Sequence, residues 1–415
     1  MTPSASTGDL LARVGVVGPG LMGLGIAQAF AAAGAAVVLC GRDNEASRRG
    51  RDRLAAALAR QVARGRADAA AEAAVLARVE TAAMASGLGD CDLVIECVPE
   101  ERALKNATLA SVEEAAPRAV LASNTSGLTI AGLAQALSDP SRFLGLHFFS
   151  PAERMALVEV AIGPRTADDA VRRALAIVRC AGKRPVVVRD GPGFFATRVF
   201  AAYLDEAVAM AAEGIAVESI DGAAVASGRA LGPLAMLDET GIAVSLSQAR
   251  QARADGLESR FCRPLAEHTL ERLVSAGRSG RRAGGGFYDW PQDGPRIPWA
   301  RFSALYPAVG SQPERETIQL RLLAAEAREA LCCLEEGVVT NADDADLASV
   351  LGLGFPKARG GVLRWAEDFG LGALVDALDA LARTHGERFS PSPWLRVLAA
   401  RSEGLSPYRG KDPPT

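Results

Sequence analysis

The chain has 415 residues, 49% of them hydrophobic and 23% charged, with a net charge of −3. That length suggests two or three domains, and the composition is ordinary for a globular protein with an ample core. The small net charge argues against a general polyanion binder, so no nucleic-acid partner is expected. The cysteines (Cys40, Cys91, Cys97, Cys180, Cys262, Cys332 and Cys333) show neither metal-ligand spacing nor a disulfide framework. They fit a reduced, cytoplasmic interior with no metal centre. The N-terminal stretch MTPSASTGDLLARVG has no basic region and no long apolar core, so no signal peptide is expected. The longest apolar stretch, Gly25 to Gly41, is too short to span a bilayer and is interrupted by Gln28, so no membrane partner is expected. The basic residues are almost all arginine, so an Arg in place of Lys at any one site says little.

The first domain opens at Arg13 with a short β-rich run, Val14 to Val17, followed at once by Gly18-Pro19-Gly20-Leu21-Met22-Gly23. Residues 24–33 read as a small-residue helix ending at Gly34, and Ala36 to Cys40 as a second strand. A GxGxxG between a strand and a helix, with a second strand close behind, is a dinucleotide-binding signature. Its glycines allow the tight turn, the approach of the pyrophosphate and close helix–strand packing, and the helix N-terminus offers free N–H groups to phosphate. An acid at the end of the second strand favours NAD, whereas an arginine accommodates a 2′-phosphate. Here the strand runs into Gly41-Arg42-Asp43, which leans toward NADP, although Asp43 is near enough to swing back.

Residues 44–78 read as helical and rich in Arg and Ala. Such a run usually marks a solvated face; the alternative, including Arg64, is a basic wall for a phosphorylated substrate handle. Cys91 to Pro99 reads as a buried strand, then a helix over 100–115, then a strand at Val120 to Ser123 leading into Asn124-Thr125-Ser126-Gly127. Strands ending in polar or Gly-rich loops place those loops at the carboxyl edge of a parallel sheet, where ligands bind. Glu100, Asn124, Ser126 and His147 all fall on that edge.

Residues 143–160 read FLGLHFFSPAERMALVEV. If the apolar runs on either side of Ser150-Pro151 pair antiparallel about Glu153, His147 and Glu159 face each other directly, with Cβ atoms roughly 4.5–5.5 Å apart. A carboxylate there takes the imidazole Nδ1–H, fixes the tautomer and leaves Nε2 as the proton acceptor, which makes a general-base dyad. The alternative is a half-buried strand histidine beside a surface glutamate.

After a strand at 185–189, Asp190-Gly191-Pro192-Gly193-Phe194 marks a domain switch, and the chain beyond is nearly all helical. It also repeats. Glu206, Glu213, Gly214 and Asp221 match Glu329, Glu336, Gly337 and Asp344 in spacing, each set followed by a Gly-rich turn. The Gly/Pro-rich stretch 277–313 reads as a linker between the copies.

Taken in order, GPGLMGLGIAQ, VIECVPEE, SNTSGLTI, LHFFSPAERMALVEV, DGPGFFATR and GGGFYDW resemble the L-3-hydroxyacyl-CoA dehydrogenases over about residues 12 to 400. The resemblance implies His147 as catalytic base, Glu159 as its orienting partner and Ser126 near substrate and nicotinamide. It also implies Glu100 and Lys105 along the cofactor, with Arg282 where a Lys is usual; Gly18, Gly20, Leu21, Met22 and Gly23 of the turn, Arg42 at the strand end and Ser150 complete the expected cofactor contacts. The second helical copy resembles the C-terminal repeat of multifunctional β-oxidation enzymes. Three positions depart from the family pattern: Gly41 replaces an acid, Ser150 an Asn that is often found there, and Thr197 an Asn that helps hold substrate. Thr keeps a donor and an acceptor but is shorter and lacks the amide fork.

The expected architecture is an α/β Rossmann-type doubly wound sheet (12–190) followed by two all-α domains (191–290 and 310–405). The expected activity interconverts 3-hydroxyacyl-CoA and 3-oxoacyl-CoA by hydride transfer with NAD(P), NADP slightly favoured. The alternatives are a dehydrogenase of non-CoA β-hydroxy acids and a weakly active dinucleotide-binding protein. The expected partner is an acyl-CoA thioester, and the expected assembly a monomer or weak dimer, because the second helical copy supplies an internal pseudo-two-fold.

Overall fold

The computed structural model describes residues 12–83, 87–256, 264–401 and 404–410. The N-terminal residues relevant to a leader (1–11), Cys262 and Lys411 lie outside the described residues. The chain divides into two compact units, one ending at Phe194 and the other running from Phe195.

In the first unit the apolar runs read as strands form one eight-stranded sheet, ordered β3-β2-β1-β4-β5-β6-β7-β8. The strands are β1 (Arg13–Val17), β2 (Ala36–Cys40), β3 (Val79–Ala82), β4 (Leu93–Glu96), β5 (Val120–Ser123), β6 (Phe143–Phe148), β7 (Leu157–Ile162) and β8 (Arg184–Arg189). From β3 to β6 neighbouring strands are parallel; β7 runs antiparallel to β6 and β8 follows β7. The central strands are buried along nearly their whole length, which is why they read as continuous Val/Ile/Leu runs without alternation. The helices are α1 (Leu21–Ala32), α2 (Asn44–Ala63), α3 (Ala69–Ala77), α4 (Arg102–Ala115), α5 (Ile130–Leu133) and α6 (Asp168–Cys180). Val14, Val16, Ile26, Phe30, Leu39, Ile95, Leu146 and Phe148 share one apolar core.

Residues 44–78 are not a single helix. The chain breaks after Arg64, and Asp68 caps α3 by accepting the Ala71 N–H at 2.9 Å. The edge strand β3, which follows, carries no turn signal before it. Arg51 supports it, donating to the Val79 carbonyl at 2.8 Å and the Leu76 carbonyl at 3.2 Å. That arginine is structural, whereas Arg48, Arg60, Arg64 and Arg66 are exposed.

The second unit is helical and visibly duplicated. Its first copy holds α7 (Ala196–Ala212), α8 (Val217–Ala226), α9 (Pro233–Thr240), α10 (Ile242–Ala254) and α11 (Pro264–Ser275). After a short β9 (Tyr288–Asp289), β10 (Ile297–Pro298) and α12 (Phe302–Leu305), the second copy runs through α13 (Arg315–Glu335), α14 (Ala342–Gly352), α15 (Val362–Phe369), α16 (Leu371–His385) and α17 (Pro393–Ala399). The helices α7 and α13 end identically. Gly214 N–H bonds the Ala211 carbonyl and Ile215 N–H that of Met210; Gly337 and Val338 do the same to Leu334 and Cys333.

Two expectations about this unit are corrected. The counterpart of Asp221 is Asp346, not Asp344. Asp221 accepts the N–H groups of Leu234 and Ala235 at the start of α9, and Asp346 those of Leu363 and Arg364 at the start of α15. The connection from Gly337 to Ala342 is longer than that from Gly214 to Val217, and the extra residues displace the register. Nor is the whole of 277–313 a linker. Asp238 on α9 accepts the N–H groups of Phe287 (2.9 Å) and Tyr288 (3.0 Å) and the indole N–H of Trp290 (2.9 Å). Phe287, Tyr288 and Phe302 are buried in the helical core. A Cβ at Gly286 would lie 1.9 Å from an Asp238 carboxylate oxygen. Gly286 serves close packing against a buried acid, and Gly285 close packing against Arg278 and the Tyr288 carbonyl, not flexibility. The second copy repeats the device past its expected end at 405: Glu367 accepts from the Leu405 N–H and from Arg409.

Candidate functional site

The turn from β1 to α1 is shaped for a phosphate. Gly18 has φ +107°, and a Cβ there would sit 2.7 Å from the Cys97 carbonyl, so only glycine fits. At Gly23 a Cβ would meet the Gly18 carbonyl oxygen at 2.0 Å. At Gly20 it would meet nothing within 4 Å, so the backbone is open to an approaching group. No side chain caps the start of α1, which leaves its first N–H groups directed at that opening, the arrangement a pyrophosphate needs. Leu21 is exposed and Met22 half-buried beside it.

At the end of β2, Arg42 projects into solvent with its side chain 85% exposed, 3.4 Å from Asp43. Asp43 does not swing back. It caps α2 through the Ala46 N–H at 2.6 Å, and that bond holds its carboxyl below the usual range. Gly41 donates its N–H to the Ser47 hydroxyl at 2.7 Å. A Cβ at Gly41 would lie 2.8 Å from Ala46 Cβ and 2.9 Å from the Ser47 nitrogen, so the first turn of α2 leaves no room for a carboxylate here.

The ends of β4 and β5 carry a buried charge network. Lys105, 1% exposed on α4, places its ammonium 3.0 and 3.1 Å from the two Glu96 oxygens, 3.2 Å from Glu100 and 3.3 Å from the Val98 carbonyl. Glu96 also accepts the Ser123 hydroxyl at 2.6 Å and the Val98 N–H at 2.6 Å. Glu100 accepts from the Thr125 hydroxyl (2.5 Å), the Ser126 N–H (2.9 Å) and the Gly127 N–H (3.1 Å). Burial holds Glu96 above the ordinary carboxylate range despite the pull of Lys105. At Glu100, burial is outweighed by Lys105 and the Thr125 and Ser126 hydrogen bonds, which hold it below that range. Against burial, Glu96 first and Glu100 second hold Lys105 above the ordinary lysine range. Its protons are committed to this network, so it fixes the loop carrying Ser126 rather than offering a free ammonium.

The strands β6 and β7 place His147 directly opposite Glu159. His147 Nδ1 lies 2.7 Å from Glu159 Oε2, with Glu159 fully buried and His147 7% exposed. A carboxylate at that distance assigns the proton to Nδ1 and leaves Nε2 to accept one. The Phe149 ring is 4.4 Å from the imidazole centroid and Phe194 6.3 Å. Asn124 ties β5 to β6, its side-chain oxygen accepting the Phe148 N–H at 2.9 Å.

Glu100, Lys105, Asn124, Ser126 and His147 thus meet at one sheet edge, with Ser150 exposed just beyond β6. Arg64 is exposed at the end of α2. Thr197, half-buried in the first turn of α7, and Arg282, exposed in a short turn at 281–283, belong to the second unit. The sequence alone does not mark Glu96 or Phe194 as functional. The signal for Glu96 is an acid closing an otherwise apolar strand; Phe194 carries none beyond its place between glycine and helix. Among the described residues no His, Cys, Asp and Glu cluster could hold a metal, and no helix is long and apolar enough to cross a membrane.

Residues 13–191 match the 3-hydroxyacyl-CoA dehydrogenase NAD binding domain and residues 193–290 the C-terminal domain of that family. The fatty acid oxidation complex subunit alpha of Shewanella sp. (strain MR-4) is 35% identical over 333 residues, covering 79% of this chain and 46% of that protein. The chain thus spans about half the length of the curated relatives it matches. A 3-hydroxybutyryl-CoA dehydrogenase from Escherichia coli K12 superposes with a TM-score of 0.78 at 28% identity, over 94% of this chain and 98% of that one. FadB2 of M. tuberculosis is 34% identical with a TM-score of 0.64, over 68% of this chain and 100% of its own. With both of its domains matched and the dinucleotide turn and the His–Glu pair in place, the chain belongs to the 3-hydroxyacyl-CoA dehydrogenase family.

Proposed function

We propose that this chain interconverts 3-hydroxyacyl-CoA and 3-oxoacyl-CoA using NAD(P). The observation that carries the reading is His147 Nδ1 held 2.7 Å from a fully buried Glu159 at the ligand edge of the sheet. A dinucleotide whose pyrophosphate rests at the Gly18–Gly23 turn would supply the hydride acceptor through its nicotinamide. His147 Nε2 takes the substrate hydroxyl proton as the C3 hydrogen leaves, and Glu159 stabilises the imidazolium. Ser126, placed by Glu100, orients the substrate oxygen. Thr197 in the second unit takes the place of the family's substrate-holding Asn.

The finer assignments belong to the same reading. Arg42, solvent-directed at the end of β2, supports use of NADP(H), because Asp43 is committed to capping α2. The units serve as a dinucleotide domain and a helical domain, whose second copy is structural. Initial rates with acetoacetyl-CoA and with longer 3-oxoacyl-CoA, each with NADH and NADPH, test the function. Reduction of CoA thioesters is expected. No turnover of any thioester alongside reduction of free 3-oxo acids would replace this reading with a non-CoA β-hydroxy acid dehydrogenase.

A further inference from the structure

The turn that ends the first unit contains an outlier. Phe194 has φ +49° and is the one non-glycine residue with positive φ among the described residues. For a bulky side chain that conformation is a genuine outlier, and such strain persists where the surrounding structure over-determines it. The turn is held at both ends. The Asp190 carboxylate accepts the Ile130 and Ala131 N–H groups, each at 2.7 Å, and the Phe194 N–H bonds the Gly191 carbonyl at 3.1 Å. A glycine at 194 would satisfy that backbone without strain, as Gly193 does next door at φ +71°. The side chain is therefore what the position retains, and it is fully buried with its ring 6.3 Å from that of His147 and tilted by 51°.

The imidazole needs such a wall. Its single short hydrogen bond to Glu159 restrains Nδ1, but χ2 of histidine is a broad torsion, so the ring can still swivel about that contact and carry Nε2 off line. Phe149, 4.4 Å away at 43°, limits part of the swing. We propose that Phe194 is a positioning residue for His147: the strained turn presses its ring toward the imidazole, fixing the direction of Nε2 and keeping water from the Nδ1–Glu159 contact. This rests on His147 being the base of the proposed reaction.

The test uses Phe194→Gly, which relieves the backbone and removes the ring, and Phe194→Leu, which keeps apolar bulk if the glycine variant does not fold. Each is made in the full chain, alone and with Glu159→Gln. Misplacing a reacting group costs on the order of 10- to 100-fold in rate. The expected result is a kcat loss of that size with dinucleotide affinity within about twofold, and a combined loss with Glu159→Gln smaller than the product of the two, because both act through one imidazole. Unchanged kcat, or losses that multiply, overturn the proposal. With only three histidines in the chain, the His147 Nδ1–H signal gives a second readout by NMR. Its exchange with solvent should be faster in Phe194→Leu than in the wild type, and faster still in Phe194→Gly, which removes the screening ring entirely. Unchanged exchange overturns the positioning role even if no CoA thioester is turned over, an outcome that would separately sink the proposed function.

Discussion

Arg198 and Arg321 are counterparts within the helical unit, each gripping the other copy's glutamates with the same atoms. Arg198 Nε donates to Glu329 at 2.6 Å, and its two terminal nitrogens fork onto Glu336 at 2.6 and 3.0 Å. Arg321 Nε donates to Glu206 at 2.5 Å, and its terminal nitrogens fork onto Glu213 at 2.6 and 2.8 Å. The same spacing separates 198 from 321, 206 from 329 and 213 from 336. Residue i meets residue j and j meets i, as across a two-fold between identical subunits, here within one chain.

The clamp is not equally backed on its two sides. Glu206 has a second cation, Arg388, at 2.7 Å, whereas Glu329 has only a 3.4 Å contact from Arg328 besides Arg198 among the ion pairs described. Removing one partner of a buried pair typically costs about 3–5 kcal/mol. Arg198→Met should reach that range in urea unfolding, and Arg321→Met should fall short of it. The reverse order would mean that Arg388 does not share the load.

A helical domain with an apolar face must bury it, and the second copy gives the first a partner inside the chain. The protein should therefore sediment as a monomer, or at most a weak dimer, at micromolar concentration. A stable dimer whose interface is built from residues 200–290 of both chains is the result that contradicts this.

His147→Gln should lower turnover by about 10²–10⁴-fold with dinucleotide affinity nearly intact, since the amide keeps the shape but accepts no proton. Glu159→Gln should cost less, because its part is orientation and charge compensation. Steady-state rates together with NADH binding by fluorescence separate the two. Near-normal turnover in the first variant removes His147 from the mechanism.

Arg42→Gln should weaken NADP(H) use by about tenfold, the size of one lost charged hydrogen bond, and leave NAD(H) use unchanged. The more obvious Gly41→Asp is a poor probe, since the first turn of α2 must move to admit any Cβ. If the wild type already prefers NAD(H) by a large factor, Arg42 does not read the ribose.

Asp221 is pushed up to about 6 by burial, against hydrogen bonds from Leu234, Tyr288 and Ala235. Its native value lies above the ordinary 3.8, so the native state binds the proton more tightly than the unfolded chain. The stability it contributes is full below 3.8, falls as pH rises to about 6 and is level above that. A shift of this size corresponds to on the order of 3 kcal/mol. Urea midpoints of the wild type should decline across that window relative to Asp221→Asn. Parallel pH profiles would show that Asp221 does not titrate there.

What could be read in advance was whatever depends on local periodicity. The strand–glycine–helix turn at 13–32 and the opposition of His147 and Glu159 follow from backbone geometry within a few tens of residues. What could not be read depends on distant partners. The edge strand β3 is supported by Arg51 from another element. Glu96 becomes a network centre only when α4 brings Lys105 to it. Gly286 looks like part of a linker until Asp238 is placed beside it, and the register slip that makes Asp346 the counterpart of Asp221 shows only in what each carboxylate caps.

The hairpin of β6 and β7 has a consequence for how the acid–base pair comes into being. His147 and Glu159 are twelve residues apart along the chain and are joined by a single reversal, so their meeting needs no long-range search. Contacts of such short separation form early and at small entropic cost. The pair, with Phe149 and Phe194 beside it, is made wholly of residues up to 194. A ribosome need only have released that portion for the proton-transfer half of the chemistry to be assembled, before the second helical copy, which begins at Arg315, is synthesised.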